Sequence, residues 1–577
     1  MSIVEDRYRQ WIEEAVPFYL KEELLAIVND TTQIEDRFYQ YLQFGTAGVR
    51  GVLGAGTNRM NIYTIRRAAY GLAKYITENG EIAKQRGVVI AYDTRHFSKD
   101  FAIETAQVLG AFGVKVFVFR DARPTPELSF AVRYLNAFAG VVITASHNPK
   151  QYNGFKVYGE DGAQLTPSAI QTIVEKFDDI QNIFDIPTTS WHTLEQHGTV
   201  EWLLLKIDQA YQEKLLGLKQ RTNIDFTIPI VYSPLHGAGL ISVQQGLQAF
   251  GFTNVHIVEQ QSVQDGDFPT VPYPNPEEAA AFTYAIQKGN ETGAQILLAT
   301  DPDADRLGVA VITEGGYQLL TGNQLGALIL QYLLEAKKEK NELPENGVLL
   351  KTIVTSELGA VIAQQYGVET VNTLTGFKYI AEKIAEYDQS KEKTYLFGYE
   401  ESYGYLVQSF VRDKDAVQVA LVVAEMAAYY ATKQQTLLDV LDSLFNQYGY
   451  YEEVLQSKTF EGITGQKEMQ VLLQYFRENR IYEIADQKVL VVEDYLTHQA
   501  IYLDGSITKL NLPKENVLKF ILEDQSWIAI RPSGTEPKCK FYFGTVARTK
   551  EQAQQKLKQL QVSFMKSQKS NHPSSGY

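Results

Sequence analysis

Short apolar runs alternate with amphipathic stretches along most of this chain. Residues 88–92 (VVIAY) are apolar throughout, as in a strand buried on both faces, and a helical pattern follows near 99–112. Further strands are expected at 114–120 (VKVFVFR) and 140–144 (GVVIT). Strand–helix–strand alternation predicts a largely parallel, buried sheet. The pattern restarts at 229–232, 255–258 and 296–300, and again at 348–354, 370–374 and 394–397. Three successive α/β units follow, alike in architecture rather than in sequence. A smaller unit of α+β type closes the chain, with strands at 516–522 and 527–531, a hairpin-like return at 539–544 and a helix over 549–565. Polar or glycine-bearing segments near 186–200, 314–322 and 435–460 separate these units. The expected domains are 1–200, 201–315, 316–450 and 451–577.

Composition narrows the function classes. A formal net charge of −15 argues against a general nucleic-acid binder, which needs a basic face. An acidic protein that binds phosphates must focus its positive charge in a cleft. One cysteine rules out a disulfide within the chain and fits a reducing, cytoplasmic setting. The start of the chain is charged and lacks an apolar signal-peptide core. The apolar stretches 325–334 and 416–431 are too short, or are broken by Gln418 and Glu425, to read as membrane spans.

The chemistry concentrates in loops that directly follow apolar strands, where open α/β sheets bind ligands. After GVVI comes TASHNP (144–149), with Ser146 flanked by His147 and Asn148. Taken alone this reads as a turn, since Ser, Asn and Pro all favour turns. No G-x-S-x-G elbow surrounds Ser146, so a hydrolase triad is not indicated. After ILLAT comes DPDADR (301–306). Asp301, Asp303 and Asp305 converging on one point would repel by about 4 kcal/mol per pair at about 4 Å and an effective dielectric near 20. A divalent cation removes that penalty, and all-oxygen ligation suits Mg²⁺. An EF-hand loop fails, because Arg306 and Ile312 stand where it needs Gly and Glu.

After TYLF comes GYEESYG (398–404), where Glu400, Glu401 and Ser402 suit sugar hydroxyls; alone it reads as an acidic turn. After SWIAI comes RPSGTEPK (531–538). Arg531 can grip a phosphate bidentately, Ser533 and Thr535 add hydroxyl donors, and Gly534 admits close backbone N–H groups. Near the start, FGTAGVRG (44–51) carries Arg50 among glycines but is not a P-loop.

Together, in this order, the loops resemble the α-D-phosphohexomutase superfamily over residues 40–550. TASHNPKQYNGFKVYG (144–159), VPYPNPEE (271–278) and TLTGFKYI (373–380) are similar to its phosphoglucomutase-2-like branch, which includes enzymes of Gram-positive bacteria. The resemblance implies a heart-shaped molecule of three mixed α/β domains and a C-terminal domain of TATA-binding-protein-like fold. It implies that Ser146 carries the phosphoryl group, with His147 beside it, and that Ser146, Asp301, Asp303 and Asp305 hold one Mg²⁺ per subunit. Arg50 and Lys156 match basic residues near the transferring phosphate. Arg306, Lys378, Glu400, Ser402, Arg531, Ser533, Gly534 and Thr535 match substrate-binding positions. No histidine follows Ser402, unlike the bifunctional bacterial enzymes; VRDKD (411–415) makes Lys414 the candidate acid/base, with His147 and Lys156 as alternatives.

The implied activity is interconversion of α-D-glucose 1-phosphate and glucose 6-phosphate through glucose 1,6-bisphosphate. The implied partners are small sugar phosphates, with no nucleic acid and no membrane, in a monomer or homodimer. Phosphopentomutase and phosphomannomutase are the nearest alternatives. DPDAD also leaves open an aspartyl-phosphate phosphatase, and a silent sugar-phosphate-binding regulator is a third reading.

Overall fold

The computed structural model describes residues 2–14, 16–45, 48–460, 462–532 and 538–570. Four sheets follow one another along the chain. The first orders its strands Val49–Val52, Tyr152–Tyr158, Ala139–Ile143, Val88–Tyr92, Val116–Phe119 and Val200–Leu203. The last four run parallel, and the first two add antiparallel at one edge. Val88–Tyr92 and Ala139–Ile143 are buried at every position, as helices on both faces of a parallel sheet require.

The second sheet orders Gly316–Leu319, Leu307–Thr313, Ile296–Thr300, Ile230–Ser233 and Val255–Ile257. The third orders Glu369–Thr373, Gly347–Thr352, Thr394–Glu400 and Gly404–Leu406. The fourth is antiparallel, running from Tyr450–Thr459 through Lys538–Ala547, Trp527–Pro532, Leu518–Leu522, Gln487–Asp494 and Gln499–Tyr502 to the edge strand Ile507–Lys509. Helices Gly462–Glu478 and Lys550–Ser570 belong to this last unit.

Two expected boundaries shift. Val200–Leu203 completes the first sheet, past the expected break at 200. Gly316–Leu319 is the edge of the second sheet, so the break at 315 falls inside a hairpin. The reason is local: Glu314-Gly315 is a tight two-residue turn, and such a turn has the composition of a linker.

The first three units share one apolar core, from Val89 and Leu128 through Leu247 and Leu298 to Leu350 and Leu421. Helix Ala416–Thr432 runs through it and is buried nearly all round. It lies so close to helix Leu240–Phe250 that a Cβ on Gly246 would sit 2.9 Å from Leu421. The polar breaks in that helix are satisfied: Glu425 accepts from Tyr332 Oη at 2.5 Å and from the Gln220 N–H at 2.8 Å. A separate cluster joins the third and fourth units through Leu374, Tyr379, Trp527 and Tyr542. Three N-terminal helices, Ile3–Glu13, Phe18–Ala26 and Thr31–Phe38, pack around Trp11 and Phe38 on helix Ile62–Glu78. Among the described residues, no helix is long and apolar enough to cross a membrane.

Candidate active site

Ser146 follows strand Ala139–Ile143 and adopts φ 52°, a left-handed conformation that costs a residue with a Cβ about 1–3 kcal/mol. The surrounding contacts over-determine it. Its N–H donates to Thr144 Oγ1 at 2.7 Å, and its carbonyl accepts from Arg95 Nη2 at 2.5 Å. Arg95 also bonds the carbonyls of Pro149 (2.8 Å), Tyr152 (3.1 Å) and Asn148. Asp93 accepts from Thr144 Oγ1 and Ser98 Oγ, each at 2.6 Å, and its Oδ2 lies 3.2 Å from Arg95 Nε. The Asp93 and Arg95 side chains are wholly buried. This brace beneath the serine loop was not anticipated from the sequence. Its one signal was DTR (93–95) at the end of an all-apolar strand.

The DPDADR loop meets the serine loop face to face. Ser146 Oγ donates to Asp301 Oδ2 at 2.6 Å and lies 3.2 Å from His147 Nδ1. Asp301, Asp303 and Asp305 are fully buried, with one carboxylate oxygen of each within 4.8 Å of the others. Asp301 Oδ1 accepts the N–H groups of Asp305 and Arg306, at 3.1 and 3.0 Å. Asp303 Oδ2 accepts from Thr125 Oγ1 at 2.8 Å and from Lys156 Nζ at 3.1 Å. Among the described residues, Asp303 Oδ1 and Asp305 Oδ1 are buried without a hydrogen-bond partner.

Burial, then Asp303 and Asp305, pushes the Asp301 carboxyl well above its usual range. Burial pushes Asp303 the same way, but Lys156 and Lys414 outweigh it and hold Asp303 low. Buried, unsatisfied carboxylate oxygens at one point are the donor set a hard divalent cation needs.

Several cations ring this cluster. Lys156 Nζ lies 3.6 Å and Lys414 Nζ 2.8 Å from Asp305 Oδ2. Burial lowers the Lys414 ammonium, but Asp305 and Asp413 more than offset it and raise it above its usual range. Arg50 Nη1 donates to Asn148 Oδ1 at 2.8 Å. The strand Val49–Val52 reaches this position because Gly48, at φ 93°, leaves room: a Cβ there would lie 2.3 Å from the Phe155 carbonyl oxygen. His147 is held well below the usual imidazole range, by burial first and then by Arg306 and Arg50. Arg306 Nη1 pairs with Glu277 Oε1 at 2.6 Å, a partner supplied by VPYPNPEE.

The acidic 398–404 segment is not the free loop expected from its sequence. Strand Thr394–Glu400 continues through Glu400 and turns at Tyr403 (φ 63°) into Gly404–Leu406. The continuation reflects pairing with the buried strand Gly347–Thr352, which residue preferences alone do not show. The Leu307 N–H donates to the Tyr403 carbonyl at 3.2 Å, so the metal-loop strand and this turn are locked backbone to backbone. Glu400 Oε1 accepts the Gly376 N–H at 2.7 Å, and burial, then Glu401, pushes its carboxyl up to about 7. Glu401 Oε2 accepts from Thr352 and Thr355 Oγ1, both at 3.3 Å. Ser402 lines the same cleft.

At the far end, Arg531 Nη2 lies 3.3 Å from Glu515 Oε1. Lys540 is paired opposite Arg531 in the sheet register. Lys378 opens helix Phe377–Ser390, and burial pushes its ammonium down to about 8 against the opposing pull of Glu515. Ser533, Gly534 and Thr535 lie outside the described residues.

One cleft of ≈ 760 Å³ connects these ends. Ser146, His147, Lys156, Arg50, Asp305, Arg306 and Lys414 line one end; Lys378 and Arg531 line the other, with Glu400 and Ser402 also on the wall. Asp301 and Asp303 lie buried beneath it. Glu277 and Lys540, also on the wall, were not anticipated from the sequence. VPYPNPEE (271–278) marked the segment of Glu277 but not its partner, and each of the two gains its place by an approach between distant segments.

Comparison with known proteins agrees with this geometry. Models of the phosphoglucomutase/phosphomannomutase family match in order: domain I at 41–184, domain II at 209–315, domain III at 321–448 and the C-terminal domain at 484–559. A phosphoglucomutase of Staphylococcus haemolyticus is 39% identical over 549 residues, covering 93% of this chain and 97% of its own. One from Staphylococcus aureus strain MSSA476 is 38% identical over 558 residues, covering 95% and 97%. Among solved structures, a phosphoglucomutase/phosphomannomutase family protein of Burkholderia thailandensis shares the fold with a TM-score of 0.66, at 21% identity, over 92% of this chain and 98% of that one. With each of the four units matched and relatives alike along nearly the whole length, the chain belongs to the phosphoglucomutase/phosphomannomutase family.

Proposed function

We propose that this protein interconverts α-D-glucose 1-phosphate and glucose 6-phosphate, with Ser146 as the phosphoryl carrier and glucose 1,6-bisphosphate as the intermediate. One observation carries the reading. Ser146 Oγ sits 2.6 Å from a buried three-carboxylate cluster at one end of a cleft whose other end gathers Arg531, Lys540 and Lys378. A hydrolase would need no second cationic end. A mutase needs one, because its bisphosphate intermediate carries a phosphate at each end.

Asp301, Asp303 and Asp305, with an oxygen on Ser146, would hold Mg²⁺. Bound there, the ion would neutralise charge on the transferring phosphoryl group. The chain's own groups do the rest. When Ser146 receives a phosphoryl group, the Oγ–P bond forms and the bond from phosphorus to the sugar oxygen breaks. His147 Nδ1, 3.2 Å from Oγ and kept neutral, takes the Oγ proton once the hydroxyl turns from Asp301 toward it. Lys414, which enters charged, gives a proton to the departing sugar oxygen. When Ser146 donates, both transfers run backwards. Arg50, Lys156 and Arg306 offset phosphate charge at this end. Glu400 and Ser402 bind sugar hydroxyls, and Lys378 and Arg531 hold the resting phosphate.

The test is a coupled assay with glucose 1-phosphate and a glucose 1,6-bisphosphate primer, together with mass-spectrometric mapping of the phosphorylated residue. Glucose 6-phosphate formation with label on Ser146 is expected. Label on Asp301 with release of free phosphate would identify a phosphatase instead.

A further inference from the structure

A second cavity, of ≈ 650 Å³, lies where the N-terminal helices meet helix Ile62–Glu78 and helix Pro167–Val174. It shares no lining residue with the catalytic cleft. Its volume is in the range of small-molecule sites. Two arginines face it from different helices, Arg7 from Ile3–Glu13 and Arg67 from Ile62–Glu78.

Both guanidinium groups lie against one ring: Arg7 is 5.0 Å and Arg67 4.7 Å from the Tyr41 centroid. Arg67 also lies 4.0 Å from the Phe177 centroid. Each donates to a backbone carbonyl, Arg7 Nη1 to Phe38 at 2.8 Å and Arg67 Nη1 to Leu42 at 3.4 Å. Neither has a carboxylate at ion-pair distance among the described residues. Burial pushes the Arg67 guanidinium down to about 10; Tyr41 and Asp178 pull it up, and Arg7 adds repulsion.

These two cations repel each other, and among the described residues neither has a carboxylate at ion-pair distance, in a chain that is acidic overall. A dianion would relieve both at once, whereas a carboxylate would match only one. Guanidinium forks fit phosphate oxygens bidentately. The amides of Gln40, Gln43 and Gln171 on the same wall offer donors and acceptors for hydroxyl groups.

We propose that this cavity is a second ligand site, which takes the phosphate monoester of a small polyol between Arg7 and Arg67. The site has a direct route to the catalytic end. Its wall includes Leu42 and Gly45; Gly45 is hydrogen-bonded to Gly48 at 2.9 Å, and Leu42 packs on Gly51 in the strand that carries Arg50.

Calorimetric titration with glucose 6-phosphate tests this on the full chain carrying Ser146→Ala, so that no phosphoryl group moves. Two binding sites per chain are expected. Adding Arg67→Gln should leave one. Adding Gln171→Glu, an exposed change that puts a negative charge on the cavity wall, should weaken the second site at least about tenfold without touching the packed interior. Inorganic phosphate, lacking the polyol, should bind the second site at least about tenfold more weakly than the ester. A single site in the parent, or two undiminished sites in the Gln171→Glu chain, would overturn the proposal. Equal affinity for inorganic phosphate would overturn its assignment to an ester. In the Ser146-containing enzyme, Gln171→Glu should retain mutase turnover, so loss of the second site is distinct from loss of catalysis.

Discussion

The two ends of the catalytic cleft hold their charged groups differently. At the Ser146 end, Ser146, Lys156 and the three aspartates are all buried, and contacts from three sheets converge there. Thr125 and Lys156 come from the first unit, the aspartates from the second and Lys414 from the third. At the Arg531 end, Arg531 and Lys540 are half-buried on adjacent strands of one antiparallel sheet, and Glu515 is the carboxylate opposite Arg531. The first end fixes one oxygen at one point. The second supplies positive charge over a broader surface. That contrast suits a reaction in which one phosphate reacts while the other is only held, and in which the two exchange places.

Four experiments can break or sharpen the contrast. The largest effect is expected for Ser146→Ala, which should lower turnover by on the order of 10⁴-fold or more while leaving the melting temperature nearly unchanged. Near-normal mutase activity in that variant would remove the carrier altogether. Next comes the brace beneath the serine. Arg95→Met leaves Asp93 buried without its cation and should cost about 3–5 kcal/mol of stability by denaturant melts. A change below about 1 kcal/mol would mean that the serine loop is not held from beneath.

Third, chelation should lower activity at least about 100-fold, and Mg²⁺ should restore it. Added Mg²⁺ at about 100 times its Kd should also stabilise the fold by about 2.7 kcal/mol, and Asp303→Asn should abolish that gain. A melting temperature indifferent to Mg²⁺ would contradict the metal assignment. The smallest effect belongs to the far end. Arg531→Lys keeps the charge but loses the fork, and should raise KM for glucose 1-phosphate about tenfold with little change in kcat. A fall in kcat at unchanged KM would show that the far end takes part in the chemistry, and the contrast between the ends would collapse.

Much of this site was legible along the chain. Each of Ser146, Asp301 and Arg531 lies in or next to a loop that follows an apolar strand. A buried strand ending in polar residues is a local signal, readable without knowing what faces it. The hairpin at Glu314-Gly315 and the strand through Glu400 were misread for the converse reason. A tight turn and a linker share composition, and pairing partners extend a strand beyond what its residues prefer.

Residues whose role depends on a distant partner did not show that role in the sequence. Glu277 is an ordinary surface-type glutamate until it meets Arg306, and Lys540 is an ordinary strand lysine until the register sets it opposite Arg531. Arg7 and Arg67 lie in unremarkable helical stretches until both reach Tyr41.

The sequence by itself determined the succession of three α/β units and an α+β unit, and it singled out Ser146 and the three aspartates as candidates. These are short-range patterns of apolar strands and the loops that end them. Tertiary structure alone decided which carboxylate Ser146 touches, which lysine lies against the aspartates, what braces the serine from below and which arginines, among the described residues, lie beyond ion-pair reach of a carboxylate. Those properties depend on burial and on distances between segments far apart in the chain, and both arise only when the units close around one another.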